Sequence, residues 1–450
     1  LIPSDHKQYT HPQKLLSEPG LRVFYMPSQY YADEPKANIT LALRNQDSMN
    51  SARNQVLFAL NDYLAGVALD ELSSQASVGG ISFSTSENDG VIFNASGFTQ
   101  RLPKLMTTLL EGYSSFTPTD DQLEQAKSWY IERLEAAEKG KAFEQAIQPA
   151  QMLSQLPYTE RSERRELLKS ISVKELLAYR QQLLENATPE MLVVGNMTPD
   201  AVTALARDLR SQLKCSGKSR WQSDYVAVDK QTLANIEKVG SSSDSALAAV
   251  YIPLGYAEYE SSANSAMLSQ IIQPWFYNQL RTEEQLGYAV FAFQMPVGRQ
   301  WGIGFLLQSN SKKPDYLLQR YQAFYPTAEK RLRAMSKEDF AQYQLAMINE
   351  LKQRPQTLDE EAGRFTKDFS RENDNFDTRD KVIEQIKLLT PESLADFFHK
   401  AVMQQQGMVL MSQISGAQQG KAEYAQAKGF RTWQNVSSLQ QTLPVKSEKK

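Results

Sequence analysis

The sequence has 450 residues, enough for about three domains at roughly 150 residues each and for a sizeable buried core. Its 49 Lys and Arg against 52 Asp and Glu leave a net charge of −3, which removes electrostatic attraction to nucleic acid as a default. A single cysteine, Cys215, excludes an internal disulfide framework and any cysteine-built zinc site.

The predicted elements run in a clear order. Ala37-Asn38-Ile39-Thr40-Leu41-Ala42-Leu43 predicts a strand, and Val56, Leu60, Tyr63, Leu64, Val67 and Leu72 follow at helical spacing. Ile81–Thr85 and Val91–Ser96 alternate as strands with Gly at the turn. Leu102, Leu105, Leu109 and Tyr113 predict a helix. Thr119 with Gln122 forms a capping box ahead of Leu123, Tyr130, Ile131 and Leu134, and Ser172 with Glu175 forms a second. Met191-Leu192-Val193-Val194-Gly195 reads as a buried strand. Thr198-Pro199 then opens a helix carrying Val202, Leu205, Leu209 and Leu213. Residues 214–232 are polar and read as a linker. From about Ala246 the order recurs, with Thr390-Pro391 and Met408 to Met411 matching the later signals.

This is an internal repeat. Leu72 shifted by 208 meets Leu280; Gly90, Leu105 and Tyr113 shifted by 212 meet Gly302, Leu317 and Tyr325; Leu134 and Met191 shifted by 217 meet Leu351 and Met408. The expected fold is α+β: two tandem homologous domains, each a mostly antiparallel sheet with helices packed on one face. They span 1–213, with an N-terminal lead-in, and 233–450, whose residues from Pro444 to Lys450 are expected to fray. Residues 21–213 should superpose on 233–418, with Gly79 on Gly287 and Phe83 on Phe291. The longest apolar stretch, Ala246 to Gly255, has ten residues and includes Pro253, so no membrane helix is expected where a span needs about 20. The first residue is Leu1, with no basic segment and apolar run to read as a signal peptide. It is expected to follow processing or to begin a piece of a longer polypeptide.

The three histidines are His6, His11 and His399, so residues 12–398 hold neither a His-based triad nor a His-x-x-Glu-His zinc motif. His6 and His11, near Asp5, read as a solvated arm, and His399 as a surface or capping residue. Arg161 to Arg165 reads as a mixed-charge helix face, and Tyr30, Tyr31, Trp221 and Trp275 as packing residues.

The most unusual segment is Leu280-Arg281-Thr282-Glu283-Glu284-Gln285-Leu286-Gly287-Tyr288-Ala289-Val290-Phe291. Leu268, Ile271, Ile272, Phe276 and Leu280 give it a helical approach, with a kink or break expected at Pro274. Gly287 fits a left-handed helix end, and Tyr288 then starts a strand. Arg281 and Tyr288 can therefore reach the same space beyond the helix. The simpler reading pairs Arg281 with Glu284 or with another helix and half-buries Tyr288 as a strand aromatic. Against it, the matching repeat positions hold Ser73 and Gly80, so the repeat fold needs neither side chain.

The segment resembles the Leu-Arg-Thr-x-Glu-Gln-Leu-Gly-Tyr signature of the pitrilysin and insulin-degrading enzyme family of inverted-motif zinc peptidases. Ile2-Pro3, Pro35-Lys36-Ala37-Asn38, Gly195-Asn196 and Leu306-Leu307-Gln308-Ser309 also look like counterparts in the C-terminal halves of those enzymes. The resemblance implies the third and fourth of four similar domains and a closed chamber in which peptides are cut. It places the zinc site in an N-terminal half that this chain lacks and that would be its partner. No metal ligand is expected here, and this half alone is expected to be inactive. Arg281 and Tyr288 occupy the motif positions that bind the substrate and stabilise its carbonyl oxygen. A periplasmic location follows from the resemblance alone, with no nucleic-acid or membrane partner. The alternative is a non-catalytic peptide-binding or scaffold subunit of the same fold.

Overall fold

The computed structural model describes residues 9–218, 222–417 and 421–448. Ile2-Pro3, His6 and Trp221 lie outside the described residues. The first unit runs β1 (Gln13–Glu18), β2 (Leu21–Met26), β3 (Lys36–Arg44), α1 (Ala52–Ala68), α2 (Asp70–Val78), β4 (Ser82–Glu87), β5 (Gly90–Phe98), α3 (Leu102–Ser115), α4 (Asp120–Glu138), α5 (Ala142–Leu153), α6 (Arg161–Leu167), α7 (Val173–Glu185), β6 (Thr188–Gly195) and α8 (Pro199–Gln212). The second runs β7 (Asp224–Val226), β8 (Thr232–Val239), β9 (Ser245–Pro253), α9 (Glu258–Tyr277), β10 (Ala289–Val297), β11 (Gln300–Ser309), α10 (Pro314–Ala334), α11 (Lys337–Leu351), α12 (Leu358–Ser370), α13 (Thr378–Leu388), α14 (Pro391–Phe398), β12 (Gly407–Ser415), β13 (Arg431–Trp433), α15 (Val436–Gln440) and β14 (Val445–Ser447).

Local chemistry sets the helix starts. Thr119 Oγ1 accepts from Gln122 N at 3.1 Å while Gln122 Oε1 accepts from Thr119 N at 2.9 Å, a complete capping box. At α7 only half of the box forms. Ser172 Oγ accepts from Glu175 N, but the Glu175 carboxylate is held by Arg53 Nε and Nη2 at 2.5 and 2.7 Å. A two-pronged guanidinium contact outcompetes a return bond to one backbone N–H.

The sheets share one topology. The first has the order β1-β2-β6-β3-β5-β4, and the second, read from the matching edge, β13-β8-β12-β9-β11-β10. The β2–β6 and β8–β12 pairs are parallel in both, whereas the edge strands differ: β1 is antiparallel to β2 and β13 parallel to β8. Phe83 does not match Phe291. Phe83 packs on the helix side of its sheet, where the second unit has Val290. Phe291 faces the other way, against Phe143 with ring centroids 6.0 Å apart. A one-residue slip reverses the face of every side chain, so Val290 takes the place of Phe83 and Gly80 that of Gly287.

Each unit's own helices cover one face of its sheet, and the opposite face is roofed by a helix of the other unit. Leu358, Ala362, Phe365 and Phe369 of α12 pack on Phe24, Ala42, Ile92 and Leu192 of the first sheet. Reciprocally, Ala142 and Ala146 of α5 lie on Ala246 and Ala248 of β9, and Leu153 follows against Val250 and Leu410. The small residues at one-turn spacing let that helix come close to the sheet. This exchange explains why β9 is apolar on both faces, and why β3 is buried along nearly its whole length although Asn38, Thr40 and Arg44 face the roof. Polar contacts fix the roof: Asp359 accepts from Asn38 Nδ2 at 2.8 Å, and Glu361 from Ser28 Oγ at 2.6 Å. The C-terminal segment does not fray over its described residues. Val445–Ser447 pairs antiparallel with β7, inside the segment read as a linker, and Glu448 accepts from Arg299 and Arg371 at 2.6 and 2.8 Å. Among the described residues no helix is long and apolar enough to cross a membrane.

Candidate functional site

The helix α9 buries Met267, Leu268, Ile271, Ile272 and Phe276 in the second core and delivers the chain to the sheet edge. It does not break at Pro274, which is accommodated inside it. The departure from α geometry comes later, at Asn278–Glu283, where the chain widens into a π-helical turn. There Glu284 N donates to Gln279 O at 2.9 Å and Leu286 N to Leu280 O at 3.0 Å. The left-handed residue that ends the turn is Gln285, with φ of 53°, rather than Gly287. Gly287 is required for a different reason. A Cβ there would stand 1.8 Å from the Gln308 carbonyl oxygen, so only glycine lets the chain join β11 this closely.

This geometry brings Arg281 and Tyr288 together. Arg281 Nη1 donates to the carbonyl oxygens of Tyr288 and Gly287 at 3.1 and 3.4 Å. Its guanidinium carbon lies 5.4 Å from the Tyr277 ring centroid and 5.7 Å from that of Tyr288, a cation between two aromatic faces. The spacing suggested Glu284 as its partner, but that carboxylate goes to Arg320 Nε at 2.5 Å and Gln279 Nε2 at 2.9 Å. Among the described residues no carboxylate pairs with Arg281. Tyr288 is 77% exposed, and its hydroxyl has no hydrogen-bond partner among the described residues. The site thus presents a permanent cation packed between two rings and an exposed phenol donor, both open to an incoming acceptor. Sequence reasoning missed Tyr277, Gln279 and Arg320. Their pairing depends on the π turn and on α10, which no local pattern announces.

The other candidates fall elsewhere. His11 is part of no solvated arm: its Nε2 meets Asp380 Oδ2 of α13 at 2.5 Å. His399 Nδ1 lies 2.7 Å from a Glu329 carboxylate oxygen at the start of a second π-helical turn, His399–Met403. Trp275 lies under Arg331 at 4.0 Å, and Tyr30 and Tyr31 carry Arg354 at 5.5 Å. Burial pushes the Cys215 thiol up to about 12. Zinc is held by three or four His, Cys, Asp or Glu ligands, and no such group of three or more gathers among the described residues.

The description "middle or third domain of peptidase M16" matches residues 2–167, and "PQQ synthase PqqF-like, C-terminal lobe domain 4" matches residues 267–366. Protease 3 of Escherichia coli is 62% identical over 100% of this chain, which covers 47% of it. The insulin-degrading enzyme of Drosophila melanogaster is 22% identical over 89% of this chain, which covers 41% of it. A crystal structure of pitrilysin, 62% identical, superposes with a TM-score of 0.96 over 98% of this chain and 47% of its own. The chain therefore spans about half the length of the curated relatives it matches. Identity at this level through the whole chain, together with the shared fold, shows that it belongs to the pitrilysin and insulin-degrading enzyme family of peptidases and corresponds to the C-terminal half of such a protein.

Proposed function

We propose that this chain is the half of a peptide-degrading endopeptidase that grips the substrate and steadies the charge of the reaction, while an N-terminal half carries the zinc centre. On this reading residues 1–213 and 233–450 are the third and fourth domains of the whole enzyme, joined by 214–232. They form one wall of a chamber that admits peptides, and the enzyme works in the periplasm. Alone, this half is inactive.

The observation that carries the reading is the state of Arg281 and Tyr288. A guanidinium without a carboxylate and an exposed tyrosine without a hydrogen bond are poorly explained by packing. They suit a site where negative charge develops on the oxygen of a peptide carbonyl. Donors already fixed in place stabilise such charge without reorganising, and each is worth about 10²–10³ in rate. Arg281 has its remaining N–H groups available to align the substrate backbone in a two-pronged contact. The alternative of a scaffold subunit gives no cause for either side chain, since the first unit places neither at the matching turn.

The test is complementation. The two halves of the natural protein, expressed separately, should each fail to cleave a fluorogenic peptide and should regain cleavage on mixing. Cleavage by this chain alone would contradict the reading.

A further inference from the structure

The turn that carries Arg281 also carries a carboxylate able to silence it. Glu284 lies three residues on at the end of the same turn, whose π geometry lines it up with Gln279 five residues back and not with Arg281. Both of its oxygens are spent elsewhere: Oε1 accepts from Arg320 Nε at 2.5 Å and Oε2 from Gln279 Nε2 at 2.9 Å. Arg320 projects from α10, whose Leu317, Tyr321 and Phe324 are buried in the second core, so a rigid helix sets its place. The backbone bonds Glu284 to Gln279 and Leu286 to Leu280 hold the turn from the other side. Arg281 Nη1 is left with the carbonyl oxygens of Gly287 and Tyr288.

We propose that Arg320 and Glu284 are positioning residues: α10, through Arg320, holds the Glu284 carboxylate off Arg281 and so keeps that guanidinium available to the oxygens of a bound peptide. The inference rests on the reading of Arg281 as a substrate-binding group. It accounts for an acidic residue standing beside a cation that the reaction needs without neutralising it.

The test is a rescue, measured on the full-length enzyme with a fluorogenic peptide. Arg320→Ala releases Glu284 to pair with Arg281, and kcat/KM should fall about two- to fivefold, the reach of an exposed ion pair. Adding Glu284→Gln removes the competing charge and should bring kcat/KM back to within about twofold of wild type. A double variant as slow as the single, or slower, would show that the pair only braces the turn, and would overturn the proposal. Arg320→Gln, which keeps volume and a donor, gives the same comparison if Arg320→Ala does not fold. Arg281→Ala separates the two ideas. Wild-type kcat/KM in that variant would overturn the reading of Arg281 and this proposal with it, whereas a loss there without rescue in the double variant overturns this proposal alone.

Discussion

Phe369 belongs to the second unit by sequence and to the first by packing, so truncating it measures how far the units depend on each other. Its ring is 3% exposed, meets Phe24 edge-on at 6.3 Å and lies 5.2 Å from the Arg44 guanidinium. Its carbonyl oxygen accepts from Arg44 Nη2 at 2.8 Å, and that bond survives the substitution. Phe369→Ala therefore removes the ring and leaves the backbone anchor, a cost of about 3–5 kcal/mol for a buried aromatic. That is a large share of the roughly 5–15 kcal/mol that holds a domain together. Since α12 roofs the first sheet while being built into the second unit, the loss should appear in both. Native-state hydrogen exchange of this chain in urea reads it directly through the amides of β3 and β9. Both sets should lose equal protection in the variant. Exposure of β3 amides with β9 protection at the wild-type level would show that the units open independently. A change under about 1 kcal/mol in both would show that the roof is no part of the core.

Two substitutions separate the roles of neighbouring turn residues. Gly287→Ala should lower stability by about 1–3 kcal/mol, as overpacking does, because its Cβ would press on the Gln308 carbonyl oxygen; an unchanged thermal melt would contradict this. Gln285→Gly should melt at or above the wild-type temperature, since glycine removes about 1 kcal/mol of left-handed strain at a φ of 53° against a smaller entropic loss; a clear drop would contradict it. A third prediction concerns pH. Glu190 sits between Arg22 and Arg44 and beside Glu372; burial foremost, opposed by Arg44 and helped by Glu372, pushes its carboxyl up to about 7. The folded state then binds this proton more tightly than the unfolded state. The resulting stability is complete below the ordinary carboxylate value and is lost as pH rises through about 7. The urea midpoint should fall between about pH 4.5 and pH 7 and level off above, and Glu190→Gln should flatten that slope; an unchanged slope in the variant would assign it to another group.

Much of the fold was legible because each unit's own helices and strands carry the right periods. Ile39, Leu41 and Leu43 alternate toward the first core, and Leu102, Leu109 and Tyr113 recur there at helical spacing, with Leu105 only partly buried and Met106, which the pattern did not single out, fully so. The reciprocal roofing was not legible. The apolar face of α12 looks like that of any core helix, and nothing local states that its core lies in the other unit. The edge pairing of β14 with β7 was hidden for a similar reason, since three residues cannot carry a period. At the site, Arg281 and Tyr288 stood out as a departure from the repeat. The widening of the helix did not, because Pro274 drew the expected break four residues too early. Gly287 was recognised as necessary for a conformation it does not adopt. Its role is close approach to β11, which only the register reveals.

The Tyr288 hydroxyl is proposed to act on the reaction and not on the fold. Tyr288→Phe in the full-length enzyme removes that one oxygen from a ring that is already 77% exposed. kcat should fall by about 10²–10³ with the thermal midpoint unchanged. A wild-type kcat, or a loss explained by a lowered midpoint, would contradict it.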